Sequence, residues 1–309
     1  MTAPTAADVE NVQPLAAALE GAGGSGRAAL VWRRFRRNKL AMVGLVGLVL
    51  LFVFAFAGPL LTHWSPSDID LINTQSGPTG DHLFGTDDVG HDMFAQTVNG
   101  MQKSLIIGLL VALLSTGSAG LLGTAAAYFG GWWEKVIVWL TDLFLVVPSL
   151  LMLIILSPYF QGANWLVLVP MIALFSWMIT SRVVRGMTLT IREREFVRAA
   201  RYMGVPAWTI IRRHIIPNLS SILIVDFTLN VGAAIVTESF LSFLGFGIRS
   251  PNVSLGTVIN DGAQFASTDQ WYLFVFPASV LVLIILCVNF IGDGLRDALD
   301  PNSTGASAR

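Results

Sequence analysis

Apolar residues in this chain gather into six long runs, at Leu40–Leu61, Leu105–Phe129, Val136–Leu156, Trp165–Thr180, Ile222–Phe246 and Trp271–Ile291. A helix needs about 20 predominantly apolar residues to cross the hydrocarbon of a bilayer, so each run predicts one membrane span. The fourth is the shortest and contains Pro170, which leaves its ends the least defined. Pro148 in the third predicts a kink, tolerated because neighbouring helices satisfy the freed backbone groups. A polar stretch of more than 30 residues precedes the first run and speaks against a cleaved leader.

Two polar segments carry patterns of their own. Between the first two runs, residues 62–104 form a loop too long for a hairpin. Thr86, Asp87 and Asp88 read as a helix start, because acids suit a helix N-terminus. Val89, Met93, Phe94, Thr97, Val98 and Met101 follow at helical spacing, which predicts an interfacial helix with its apolar face inward. Residues 181–218 form the second such segment. Phe196, Val197, Ala199, Ala200 and Met203 lie among charges, and Gly204, Val205 and Pro206 break the pattern. A second short helix, Ala207–His214, then ends near Pro217. Ala199 and Ala200 allow helices to approach closely, and Gly204 allows a sharp turn. A solvated loop has no need of exposed Phe196, Tyr202, Trp208, Ile210 and Ile211, so the segment is expected to be a docking knob.

Composition fits this layout. Of the 309 residues 54% are apolar and 13% charged, where soluble domains carry about 25% charged residues. The net charge of −1 argues against a basic nucleic-acid-binding protein. The single cysteine, Cys287, excludes an internal disulfide framework and reads as a small apolar residue of the last span. Lys and Arg mark the cytoplasmic side of a membrane protein. With six spans, seventeen of the nineteen basic residues fall on one side, eight of them in the loop 181–218. Both termini are therefore expected in the cytoplasm. Residues 1–26 are Ala/Gly-rich and expected to be a disordered tail, and the GxGxxG spacing of Gly21, Gly23 and Gly26 lacks the strand and acidic partner of a dinucleotide site. Residues 27–39 are a basic segment before the first span, residues 40–301 the spanning domain, and residues 302–309 a cytoplasmic tail.

Several motifs resemble those of one family. Phe196–Gly204, followed by Ile215-Ile216-Pro217-Asn218, is similar to the EAA loop of ABC importer permeases. The stretch from Leu83 to Asp92 resembles the LGTDxxGRD segment of the C-type permease of dipeptide/oligopeptide importers. Tyr128–Trp132, Val147-Pro148-Ser149, Arg192–Phe196, Leu241–Gly247 and Gly292–Pro301 match the same family's habits. The resemblance covers roughly residues 30–301 and implies an all-α, six-span type I importer permease. It further implies pairing with a homologous B-type permease, two ATPase domains docked beneath, and an external substrate-binding protein delivering peptide. Related permeases also serve nickel and other small solutes.

The same resemblance implies ATPase coupling through Arg198, Ala199, Ala200, Arg201, Gly204, Val205, Pro206, Ala207, Trp208, Ile215 and Pro217. Two positions depart from the family. Arg198 stands where the EAA glutamate is usual, which reverses the charge offered there, and His91 replaces the arginine of the external motif. No GxxxxGK[ST] phosphate loop occurs, so no cofactor is expected on this chain, and ATP and Mg belong to the partner ATPases.

Intramembrane acids are costly and usually functional. Asp142, Asp226 and Glu238 could line a pathway or relay protons, or could be satisfied helix-packing contacts. They are the feature that would suit an ion-coupled carrier. His63, His82 and His91 share the first external loop with several aspartates, but without tight ligand spacing they read as surface histidines and no metal is expected. No intramembrane histidine or HExxH pair supports a membrane-bound hydrolase.

Overall fold

Asn38 separates two helices of opposite character. Its side chain accepts a hydrogen bond from the Ala41 amide at 3.2 Å, capping the apolar helix α2 (Lys39–Ala57). Before it lies the basic helix α1 (Ser25–Arg37), whose Phe35 is buried against Ala41, Ile291 and Ala298. The computed structural model describes residues 25–160 and 164–299. The expected N-terminal tail thus lies outside the described residues except for its last two positions, and the tail 302–309 lies wholly outside them.

Ten further helices follow: α3 (Met93–Phe129), α4 (Gly131–Val146), α5 (Ser149–Leu156), α6 (Leu168–Ser176), α7 (Met178–Ile191), α8 (Glu195–Tyr202), α9 (Ala207–Ile210), α10 (Ile216–Phe243), α11 (Leu255–Ala263) and α12 (Tyr272–Leu299). Among the described residues there is no extended strand, only isolated bridges joining Ile69 to His91 and Thr86 to Asp92. Four stretches are long and apolar enough to cross a membrane: Lys39–Leu61, Met93–Phe129, Ala207–Phe243 and Tyr272–Leu299. Two bent pairs complete six crossings when each pair is one span: Gly131–Val146 with Ser149–Phe160, bent by 84°, and Trp165–Ser176 with Met178–Ile191, bent by 47°. The protein is an all-helical, multi-pass membrane protein.

The expected boundaries need three corrections. The helix start expected at Thr86 lies instead at Asp92, whose carboxylate accepts from the Ala95 amide at 2.6 Å. No breaker interrupts the chain from there to Phe129, so the expected interfacial helix is the first part of α3. Its Met93 packs against Val258, Tyr272 and Leu273, and its Met101 lies in the central core. The fourth run, whose ends Pro170 leaves least defined, extends to Ile191 and bends at Trp177, with Pro170 in the first turn of α6 where a missing N–H costs nothing. The helix expected to end near Pro217 does not end there. A wide π-type turn, Ile211–Ile215, carries α9 directly into α10. That wide turn lies just N-terminal to Pro217, where the ring would clash with the carbonyl four residues back in a regular helix. The kink expected at Pro148 is present as the 84° bend.

Helix α3 is the axis of the bundle, packing on α10, α7, α6, α11 and α2. Met101, Leu105 and Ala112 meet Val231 and Ile235 of α10 and Val280, Ile284 and Val288 of α12. On its other side Ile107 and Val111 meet Leu153, the apolar face of α6, and Ala234. The outer surface is apolar too: Leu40, Val43, Val46, Val49, Leu50 and Val53 of α2 are each more than half exposed. Such a surface suits lipid rather than water.

Candidate functional site

The knob built by residues 192–217 rests on a small core of its own. Val197 and Ala200 of α8 and Ile210, Ile211, Ile215 and Leu219 beyond the turn are buried together with Val184 of α7. Helix α8 is strongly two-faced, so burying Val197 and Ala200 turns Phe196, Arg198, Ala199, Arg201 and Tyr202 outward. Of the pair expected to permit close packing, Ala200 does so and Ala199 is exposed. Ile210 and Ile211, expected on the surface, are fully buried because they lie on the face that closes this core.

The turn itself depends on Gly204, whose φ of 76° lies in the left-handed region, while its amide donates to the Arg201 carbonyl at 3.1 Å. The Val205 amide reaches back to the Ala200 carbonyl at 3.1 Å, and Pro206 then precedes the first residue of α9, Ala207. Tyr202, Met203 and Trp208 project from this turn, 82%, 75% and 53% exposed. Arg212 and Arg213 are exposed alongside, and Pro217 is exposed in the first turn of α10. The expected coupling residues are thus brought together in one segment, divided between a buried inner face (Ala200, Ile215) and an outer one.

The three intramembrane acids each join helices. Asp142 of α4 pairs with Arg182 of α7, and one end of the same helix pair is tied again by Glu134 and Arg185. Asp226 of α10 accepts hydrogen bonds from Thr116 of α3 at 2.6 Å, Thr180 of α7 at 2.5 Å and Asn230 at 2.9 Å. Glu238 is completely buried and accepts from Ser104 of α3 at 2.7 Å and Ser242 at 2.8 Å. The Thr and Ser partners gave no signal in the sequence, since isolated hydroxyls in apolar runs are common.

At the opposite, acidic end the loop 62–92 is folded by its aspartates. Asp87 accepts from the amides of Val89, Gly90 and His91 at 2.7 to 3.0 Å and binds His91 Nδ1 at 2.8 Å. A His–Asp pair therefore occupies the position where the resemblance leads one to expect arginine. His82 is not a surface histidine. It is 1% exposed, 2.8 Å from Asp92 and 3.4 Å from Asp70, with Trp64 stacked on its ring. The Asn73 amide, then the Ile72 backbone N–H, hold the Asp70 carboxyl down at about 2. Across this end Asp261 of α11 is pushed up, first by partial burial and then by Asp87 and Asp88. Among the described residues, no three His, Cys, Asp or Glu side chains are arranged to hold a metal ion.

Residues 119–304 match the family model described as the binding-protein-dependent transport system inner membrane component, and residues 27–78 match that of the N-terminal transmembrane domain of oligopeptide transport permease C. The oligopeptide transport system permease protein OppC of Mycobacterium tuberculosis is 53% identical over 278 residues, covering 90% of this chain and 95% of that protein. A putative peptide permease protein of Brucella suis is 40% identical over 271 residues, covering 87% and 89%. OppC of Bacillus subtilis is 37% identical over 268 residues, covering 87% of each.

Proposed function

Because this chain belongs to the family of binding-protein-dependent transport system inner membrane components, we propose that it is the C-type permease subunit of an ATP-driven peptide importer. It is a transport subunit and not an enzyme. A homologous B-type permease supplies the other half of the pathway, two ATPase domains hydrolyse Mg-bound ATP, and an external substrate-binding protein delivers the peptide. In this reading the basic end faces the cytoplasm of the bacterial cell and both termini lie on that side, which the distribution of Lys and Arg supports.

One observation carries the coupling mechanism: α9, the wide turn and α10 form a single helix from Ala207 to Phe243. A knob seated in a cleft of the ATPase by Met203, Trp208 and the Gly204 turn is therefore the end of a lever that reaches into the span. Closure of the ATPase dimer displaces Ala207 and Trp208, and Ile215 and Pro217 pass that displacement to α10. Because α10 is tied to α3 and α7 through Asp226 and Glu238, the helices move as a group, which is alternating access by rigid-body motion. The shift in equilibrium comes from tighter contact with the ATP-bound ATPase pair than with the open one. Asp142, Asp226 and Glu238 act in this reading as packing contacts that keep the group together.

The test is uptake of a labelled oligopeptide into vesicles containing the assembled transporter. Uptake should require ATP, the binding protein and this chain, and ATPase subunits should co-purify with it in detergent. Uptake driven by an ion gradient without ATP, by this chain alone, would overturn the proposal.

A further inference from the structure

Arg198, the residue that reverses the usual charge of its motif, faces a cavity. With Val197, Arg201 and Tyr202 of α8, with Arg192 and Glu193, and with Tyr128 and Phe129 at the end of α3, it lines an open space of about 850 Å³. Arg192 is committed, since it donates to the Ala127 carbonyl at 2.6 Å and to Glu193 at 3.1 Å. The side chains of Arg198 and Arg201 have no hydrogen-bond or ion-pair partner among the described residues. Two unpaired guanidinium groups, one helical turn apart, therefore face the same space, while the cavity's one carboxylate is already paired.

The position of the cavity decides what its occupant is. Phe129 in its wall, and Trp132 and Trp133 in the first turn of α4 that follows in the chain, are each more than half exposed, and exposed Trp and Tyr gather at the level of lipid headgroups. A ligand here has its charged end among arginines and meets the rings of Tyr128, Phe129 and Tyr202. Guanidinium groups bind phosphate oxygens through paired hydrogen bonds, and basic pockets on the cytoplasmic side of membrane proteins suit anionic headgroups. We propose that this cavity holds the phosphate headgroup of an anionic phospholipid of the inner leaflet, with Arg198 and Arg201 as its ligands. The lipid then bridges the end of α3 to α8 at the base of the knob. This goes beyond peptide transport and does not depend on which substrate is carried.

The experiment uses the assembled transporter reconstituted in vesicles of phosphatidylcholine with phosphatidylglycerol, then released in detergent for native mass spectrometry. The wild type should retain phosphatidylglycerol several-fold over phosphatidylcholine. Arg198→Gln with Arg201→Gln should bring that ratio close to one, and Arg198→Lys with Arg201→Lys should restore part of it. Arg212→Gln with Arg213→Gln removes equal charge outside the cavity and should leave the ratio unchanged. Co-elution with the partner subunits checks that each variant is assembled. An unchanged ratio in the Arg198/Arg201 variant overturns the proposal. Equal loss in the Arg212/Arg213 variant also overturns it, by assigning the preference to diffuse surface charge. A third overturning result is saturable binding of labelled inorganic phosphate by the delipidated complex, dependent on Arg198 and Arg201, with no lipid preference.

Discussion

The Ser104 hydroxyl donates to the Glu238 carboxylate at 2.7 Å, joining α3 to α10 at a point where Glu238 has no exposed surface. Removing either partner strands the other inside the bundle. Ser104→Ala should cost about 1–3 kcal/mol, read as a lowered Tm of the detergent-solubilised protein. Glu238→Ala should cost more, because Ser104 and Ser242 both lose their acceptor, whereas Glu238→Gln keeps an acceptor oxygen and should cost less. Because the residues touch, the double variant Ser104→Ala/Glu238→Ala should be less destabilised than the sum of the single ones. Strict additivity would show that the pair is not coupled.

Gly204 has open space around the position of a β-carbon, so its constraint is the backbone angle alone. Gly204→Ala should cost about 1–2 kcal/mol of local strain, and Gly204→Asn less. Gly204→Pro should abolish peptide uptake with the protein still inserted, since proline fixes φ near −65° and removes the N–H given to Arg201. ATP-driven uptake in vesicles decides the matter. Normal uptake by the proline variant would remove the turn from the coupling mechanism.

Gly256 tests a close approach of a different kind. A β-carbon there would overlap the Ser239 carbonyl oxygen, so α11 could no longer lie against α10. Gly256→Ala should destabilise by about 1–3 kcal/mol through overpacking, and Gly256→Val by more. Gly186, beside which a β-carbon meets nothing, serves as the control. Equal Tm values for the alanine variants at the two positions would contradict this packing.

Two acids at the acidic end should respond to pH with opposite sign. Asp261 has its pKa raised by burial and by Asp87 and Asp88. Its contribution to stability is therefore full below the unfolded carboxyl value of about 3.9 and is lost as pH rises through the higher folded value. Asp261→Asn should raise Tm modestly at neutral pH, with the gain shrinking in acid. Asp70 is held down at about 2 by Asn73 and Ile72. Its contribution is present above about 3.9 and disappears as pH falls through about 2. Asp70→Asn should lower Tm at neutral pH, and the deficit should close in strong acid. Melting curves of both variants across pH test the signs.

Much of the site was legible because its signals are local. The left-handed turn at Gly204, the two-faced pattern of α8 and the bend at Pro148 each follow from a few neighbouring residues. His82 was misread because its burial comes from Trp64, Asp70 and Asp92, which only the folded loop brings together. Ile210 and Ile211 were misread for a related reason: a short apolar pair beside arginines carries no sign of which face another helix will cover.

By itself the sequence determined membrane residence and the six apolar runs, which the structure forms as four long helices and two bent pairs, and it set the expected polarity of the chain. Hydrophobic run length and the positions of Lys and Arg act through the bilayer, a uniform solvent that needs no tertiary partner. Tertiary structure alone decided that the knob and the fifth span are one continuous helix. It also decided that Asp226 is shared with Thr116 and Thr180, and that Arg198 faces a cavity beside Tyr128 and Phe129. Those relations join residues as many as 110 positions apart, and local periodicity carries no information about which faces meet across the bundle.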